Sequence, residues 1–107
     1  MYKMKLLAAI TGLVLSALST ISFAEAPDGA ALYQKSCLAC HGVDAKTPIL
    51  PVYPKLAGQN EEYIINQLRD IKVGARNSGQ SVIMMGILIP LPDEQIVAIA
   101  KWIAAQK

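Results

Sequence analysis

The chain has 107 residues, with ten basic and eight acidic side chains, two cysteines and a single histidine. Lys3 and Lys5 account for the whole formal excess of +2, so everything after them is neutral. Without a clustered positive surface, nucleic acid is excluded as a partner. The length allows one small domain, of a size that commonly leans on a disulfide, a metal or another cofactor for part of its core.

From the N-terminus, "MYKMKLLAAITGLVLSALSTISFA" places two lysines ahead of an apolar run and then small residues, the pattern of a cleaved secretory signal. Ser22 and Ala24 stand three and one residues before the expected cut, which makes residues 1–24 the signal and 25–107 the domain. Export predicts a periplasmic protein. The competing reading is an uncleaved membrane anchor, but Thr11, Gly12, Ser16, Ser19 and Thr20 interrupt the run.

In "PDGAALYQKSCLAC", Asp28 can cap a first turn and helix-tolerant residues follow, which predicts a helix over 28–39. Pro48, Pro51 and Pro54 then remove amide donors from "HGVDAKTPILPVYPKLAGQ", which therefore reads as a long wrapping loop. "NEEYIINQLRDIKVG" predicts a second helix, with Asn60 as cap, Glu61 and Glu62 in the first turn and Gly74 past the end. Its apolar stripe is Ile64, Leu68 and Ile71. A polar "ARNSGQS" loop precedes "VIMMGILIPL", whose composition fits a buried strand or a short helix equally. The last element, "PDEQIVAIAKWIAAQ", has Pro92 at the first helical position and the stripe Ile96, Ile99, Ala100, Ile103, with Trp102 beside it. Three main helices joined by loops define an all-α fold.

All the soft and imidazole ligands of the chain other than methionine lie in "SCLACHG", as Cys37, Cys40 and His41. A dithiol enzyme carries its Cys-x-x-Cys at the start of a helix after a strand, whereas here the motif closes a helix. A structural zinc site needs four ligands, and three are available. A plain disulfide between Cys37 and Cys40 suits an oxidising compartment but leaves His41 unexplained. Covalent haem attachment accounts for all three residues: two cysteines one helical turn apart face the same side and can form thioethers with one porphyrin, and His41 can ligate its iron. The cofactor predicted is one haem c.

A sixth iron ligand separates electron transfer from gas chemistry. Met1 and Met4 leave with the signal, so Met84 and Met85 are the candidates, and neighbours on a chain point in different directions. The default reading of either is a core filler. A thioether opposite His raises the reduction potential and closes the coordination sphere.

"CLACHG", "YPKLAGQNEEYIINQL" and "MMGILIPLPDEQIVAIAKWIA" together resemble the small bacterial class I c-type cytochromes, and in particular one domain of the periplasmic dihaem members. The resemblance covers nearly all of residues 25–107 and implies a class I cytochrome c fold in which the first and last helices cross near one haem edge. Gly29 and Tyr33 match contact positions on the first helix and Trp102 matches the aromatic partner on the last. The position of the axial methionine in this family, seven residues before Leu91, selects Met84 over Met85. A loop proline seven residues after the haem histidine, here Pro48, is expected to offer its carbonyl to the second imidazole nitrogen.

The chain departs from the family pattern at Pro92, where a capping Ser is usual, and at Ala45, where Gly is common. Tyr53, Tyr63 and Gln67 are further candidates for the pocket, each with packing or a solvated face as the plainer reading. Arg69, Lys72 and Arg76 form a basic cluster that either steers an acidic partner or compensates a helix C-terminus. What the resemblance implies is an electron carrier rather than an enzyme, with no catalytic residue. Its partners would be redox proteins: a membrane cytochrome complex, terminal oxidase or reductase. Two alternatives stand beside it, a haem-based sensor with a labile sixth site and a cytochrome subunit of a larger oxidoreductase complex.

Overall fold

The computed structural model describes residues 25–107 and Gly12; the predicted signal segment and its cut after Ala24 otherwise lie outside the described residues. Five helical elements follow in order: α1 (Gly29–Ser36), α2 (Leu38–His41), α3 (Glu61–Lys72), α4 (Ser81–Leu88) and α5 (Asp93–Ala104). No strand occurs among the described residues, so the fold is all-α.

Asp28 caps α1 as expected, its Oδ1 accepting from the Ala31 amide at 3.2 Å. The single helix predicted over 28–39 is two pieces, however. Cys37 leaves helical geometry (φ −120°), its amide closing α1 on the Tyr33 carbonyl at 2.8 Å, and its own carbonyl then opens α2 by accepting from His41 at 3.0 Å. Such a break rotates the turn that carries Cys40 and His41 relative to α1.

In α3 the Asn60 backbone is extended (φ −61°, ψ 133°) and its carbonyl accepts from Ile64 at 3.0 Å, but its side chain makes no capping bond. Glu61 and Glu62 occupy the positive first turn. The apolar 81–88 stretch is a helix, its first amides turning back to the Gln80 carbonyl. Pro92 sits just outside α5 in extended conformation (φ −64°, ψ 155°), and not at the first helical position the sequence suggested. Its carbonyl accepts from Gln95 and Ile96, so the helix starts one residue late without losing its first turn.

α5 packs against both α1 and α3, and the predicted stripes meet there: Ile64, Leu68 and Ile71 from α3 with Ile96, Ile99, Ala100 and Ile103 from α5 are all buried. Each fully buried isoleucine contributes roughly 1.5–3 kcal/mol through apolar surface removed from water. At the α1/α5 crossing Gly29 is required by contact: a Cβ there would lie 2.2 Å from the Ala98 carbonyl oxygen. One turn later the rings of Tyr33 and Trp102 stack at 4.5 Å between centroids, tilted by 33°. The buried Tyr33 hydroxyl donates to the Gly42 carbonyl at 2.6 Å, which ties α1 to the end of α2. These are the contacts expected of Gly29, Tyr33 and Trp102.

At the opposite end of α3, the Arg69 guanidinium makes two 2.7 Å hydrogen bonds to the Asp93 carboxylate, and the Lys72 ammonium donates to the Leu91 carbonyl. Both cations thus staple the end of α3 to the start of α5.

Candidate cofactor site

A cleft of about 370 Å³ lies between α2, α4 and the core, within the roughly 300–1,000 Å³ range of small-molecule sites. Cys37, Cys40 and His41 line it together with Ile83, Met84, Ile87 and Leu88 of α4; Leu68, Ile99 and Ile103 form its inner end. Val52, Tyr53 and Pro54 contribute from the long loop.

The α1–α2 break delivers the first group of residues. His41 is buried, and its Nδ1 lies 3.0 Å from the Pro54 carbonyl oxygen. A carbonyl only accepts, so Nδ1 carries the ring proton and Nε2 keeps its lone pair. The Tyr53 ring stands 6.3 Å from the imidazole, tilted by 52°. Cys37 and Cys40 are free thiols; burial, helped by the neighbouring Cys40, pushes the Cys37 thiol up to about 11. Among the described residues no cluster of three or more His, Cys, Asp and Glu side chains is grouped to hold a metal ion.

The carbonyl that holds His41 is therefore Pro54, and not Pro48 as the sequence suggested. The loop path explains the difference. Gly42 takes a positive φ of 87°, and an added Cβ would meet the Thr47 carbonyl at 2.2 Å, so the chain turns sharply straight after the histidine. Ala45, also at positive φ (60°) and fully buried, then accepts from both the Leu56 and Ala57 amides, at 2.9 and 3.0 Å. This returns 54–57 to the start of the loop and lays Pro54 over the imidazole. Ala45 stands where the family commonly has Gly, and its left-handed backbone gives the reason.

The two methionines separate. Met84 lines the cleft, while the Met85 methyl lies beside Gly74 at the end of α3, 3.7 Å from where a Cβ would stand. Of the aromatic and amide candidates, Tyr53 lines the cleft; Tyr63 is half-exposed elsewhere, and Gln67 accepts from Arg76 Nη1 at 2.9 Å. Pro54 was missed, although it opens the "PKLAGQ" stretch that carried part of the resemblance.

The residues present fit a haem c. Two thiols and an imidazole with a free Nε2 share one cleft with a thioether, and the surrounding apolar side chains Val52, Ile83 and Ile87 are more than a third exposed, surface that a flat macrocycle would cover.

Comparison with known proteins agrees. Residues 26–107 match the cytochrome c family, and the chain belongs to it. Membership brings a covalently bound haem c as cofactor. Cytochrome c4 of Stutzerimonas stutzeri is 46% identical over 77 residues, covering 66% of this chain and 36% of the relative. Cytochrome c-554(548) of Halomonas halodenitrificans is 34% identical over 72 residues, covering 67% of this chain and 86% of that one. The crystal structure of reduced recombinant cytochrome c4 from Pseudomonas stutzeri superposes with a TM-score of 0.60 at 40% identity, over 77% of this chain and 47% of the other. The matched part of the chain thus spans about a third of the first of these relatives and nearly all of the second.

Proposed function

We propose that the protein is an exported carrier of single electrons, working in the periplasm through one haem c. Cys37 and Cys40 would hold the porphyrin by thioethers, and His41 Nε2 and Met84 would ligate its iron. The observation that carries this reading is the Pro54 bond, which commits Nδ1 and leaves Nε2 for the cleft that Met84 also lines. When bound, the haem supplies a reversible ferrous–ferric couple.

The chain's own residues do the rest. Pro54 fixes the imidazole ring and raises its basicity. Leu68, Leu88, Ile99 and Ile103 keep water from the inner end of the cleft, which limits solvent reorganisation when charge changes. Ligation of the iron by the Met84 thioether would leave no place for an added ligand, which suits a carrier and opposes a sensor. Exchange with redox partners, in a membrane cytochrome complex, oxidase or reductase, then needs a weak and small contact.

The oxidised holoprotein is expected to be low-spin, with a methionine-to-iron charge-transfer band that Met84→Ala abolishes and Met85→Ala retains. Retention of the band in Met84→Ala would overturn the ligand assignment, and rapid carbon monoxide binding to the reduced protein at neutral pH would favour the sensor. A second reading, a cytochrome subunit of a larger complex, is favoured by Val82 on α4 and Ile89 just past its end, which are 55% and 57% exposed and do not line the cleft. Size exclusion of the native extract separates the two.

A further inference from the structure

α4 uses two of its faces within the chain and presents a third to solvent. Ile83, Met84 and Ile87 line the cleft, Leu88 is buried, and the Met85 methyl rests beside Gly74 at the end of α3. Val82, Gly86 and Ile89 fall at i, i+4 and i+7, on a side that is exposed and does not line the cleft. Ile89 keeps helical geometry (φ −51°, ψ −45°), so the stripe runs through it.

At the centre of this stripe stands a glycine that the fold itself does not require. Gly86 lies inside α4, where glycine weakens a helix relative to alanine, and a Cβ there would meet nothing within 4 Å. Gly29 shows the contrast, since it is the residue that lets α1 and α5 touch. The neighbours of Gly86 say what approaches it. Val82 stands four positions before it and Ile89 three after, so the stripe reads nearly alike in both directions. Turned about a two-fold axis at Gly86, one α4 lies antiparallel to another, and Val82 of each copy meets Ile89 of the other. That is the self-matching an isologous contact requires. Charge permits it as well: residues 77–92 carry no charged side chain, and the eight basic and eight acidic residues after Lys5 cancel, so nothing repels two identical chains along this face. A partner that set a charge against the stripe would leave that charge desolvated and unpaired.

We infer that the protein forms a two-fold dimer with a second copy of itself through the outer face of α4, with Gly86 at the crossing. The stripe shares no residue with the cleft wall, so the inference goes beyond the haem reading and uses none of its ligands. An eight-residue helix is about 12 Å long. That is too short to cover the roughly 800 Å² per partner of a standard interface, so the dimer is weak and exchanges with monomer.

The test is sedimentation velocity of purified holoprotein through a concentration series up to about 1 mM, where a dimer with a dissociation constant of that size holds half of the chains. Mass and visible spectrum are recorded first for every protein, so failure of the haem reading is seen separately. The parent is expected to pass from monomer to dimer along the series. Gly86→Gln should stay monomeric while its thermal midpoint in dilute solution holds or rises, because the new side chain has open space and the helix loses a glycine. Val82→Lys and Ile89→Glu should each stay monomeric alone and associate when mixed, since only the mixed pair sets an ammonium against a carboxylate at one contact and leaves Val82 on Ile89 at the other. A parent that is monomeric throughout the series overturns the proposal and returns Val82 and Ile89 to a different protein, as in the second reading above. A dimer that survives Gly86→Gln, or a mixture that associates no better than its components, places the contact elsewhere and overturns it too. Should Gly86→Gln fail to accumulate, the mixing experiment decides.

Discussion

The α1/α5 crossing and the α4 side of the molecule both present apolar side chains, yet one is finished by the chain and the other by its cofactor. At the crossing, Gly29 lets backbone touch backbone, Tyr33 and Trp102 stack, and Tyr33 is fully buried. Along α4, Ile83 is 60% exposed and Ile87 37% exposed, both on the cleft wall. Apolar periodicity alone does not say whether a helix buries its face against protein. Here the difference lies in what faces it: α5 meets two complementary helices, whereas α4 meets one helix and a cleft shaped for a macrocycle.

The largest expected effect comes from withholding the haem. With Cys37 and Cys40 both changed to Ala, amides of α4 should exchange with solvent much faster than those of α5, and the thermal midpoint should fall furthest of any variant here. Equal protection of α4 and α5 in that protein would erase the distinction. Gly29→Val attacks the finished side instead; driving a side chain into the Ala98 carbonyl should cost about 3 kcal/mol in denaturant unfolding of the holoprotein, with the haem spectrum little altered.

A smaller effect is expected from Tyr33→Phe, about 1 kcal/mol for the lost buried hydrogen bond to Gly42. It also has a pH signature. Burial pushes the Tyr33 hydroxyl from 10.0 up to about 12, so the folded chain keeps a proton that the unfolded chain releases between those values. The corresponding stability is complete below pH 10 and is lost as pH rises towards 12, and Tyr33→Phe should flatten this alkaline limb.

The smallest belongs to Asp93→Asn. The hydrogen bonds from Arg69 hold the Asp93 carboxyl below the usual carboxylate range, so its contribution is present above that range and disappears as pH falls through the depressed value. Loss of the pair should soften the acid limb of an unfolding profile and leave neutral pH nearly untouched, because both groups are exposed.

Much of this was legible in the residues. The stripes of α3 and α5 repeat with helical period, and all their members are buried; the Cys-x-x-Cys-His run announces its chemistry without reference to the rest of the chain. What was not legible depends on closure between distant segments. The helix through 28–39 breaks at Cys37 because the second turn answers to Pro54 and Gly42, not to local propensity. Pro48 and Pro54 are equally plausible carbonyl acceptors by composition, and the choice is made by two amides, Leu56 and Ala57, converging on Ala45. Residues 81–88 carry no charge to report a solvent face, so strand and helix stayed open until the structure placed them. Asn60 has the right residue type and backbone for a cap, but no side-chain bond follows.

The staples at the end of α3 reach beyond stability. Asp93 neutralises Arg69, whereas Lys72 and Arg76 donate to the uncharged Leu91 carbonyl and Gln67 amide oxygens and keep their charge, so a cluster of three cations in the sequence presents two. With eight basic and eight acidic residues after Lys5, that part of the chain has no net charge to steer an encounter at long range. Association with a redox partner should sit near the roughly 10⁵–10⁶ M⁻¹s⁻¹ of neutral encounters and change little with added salt.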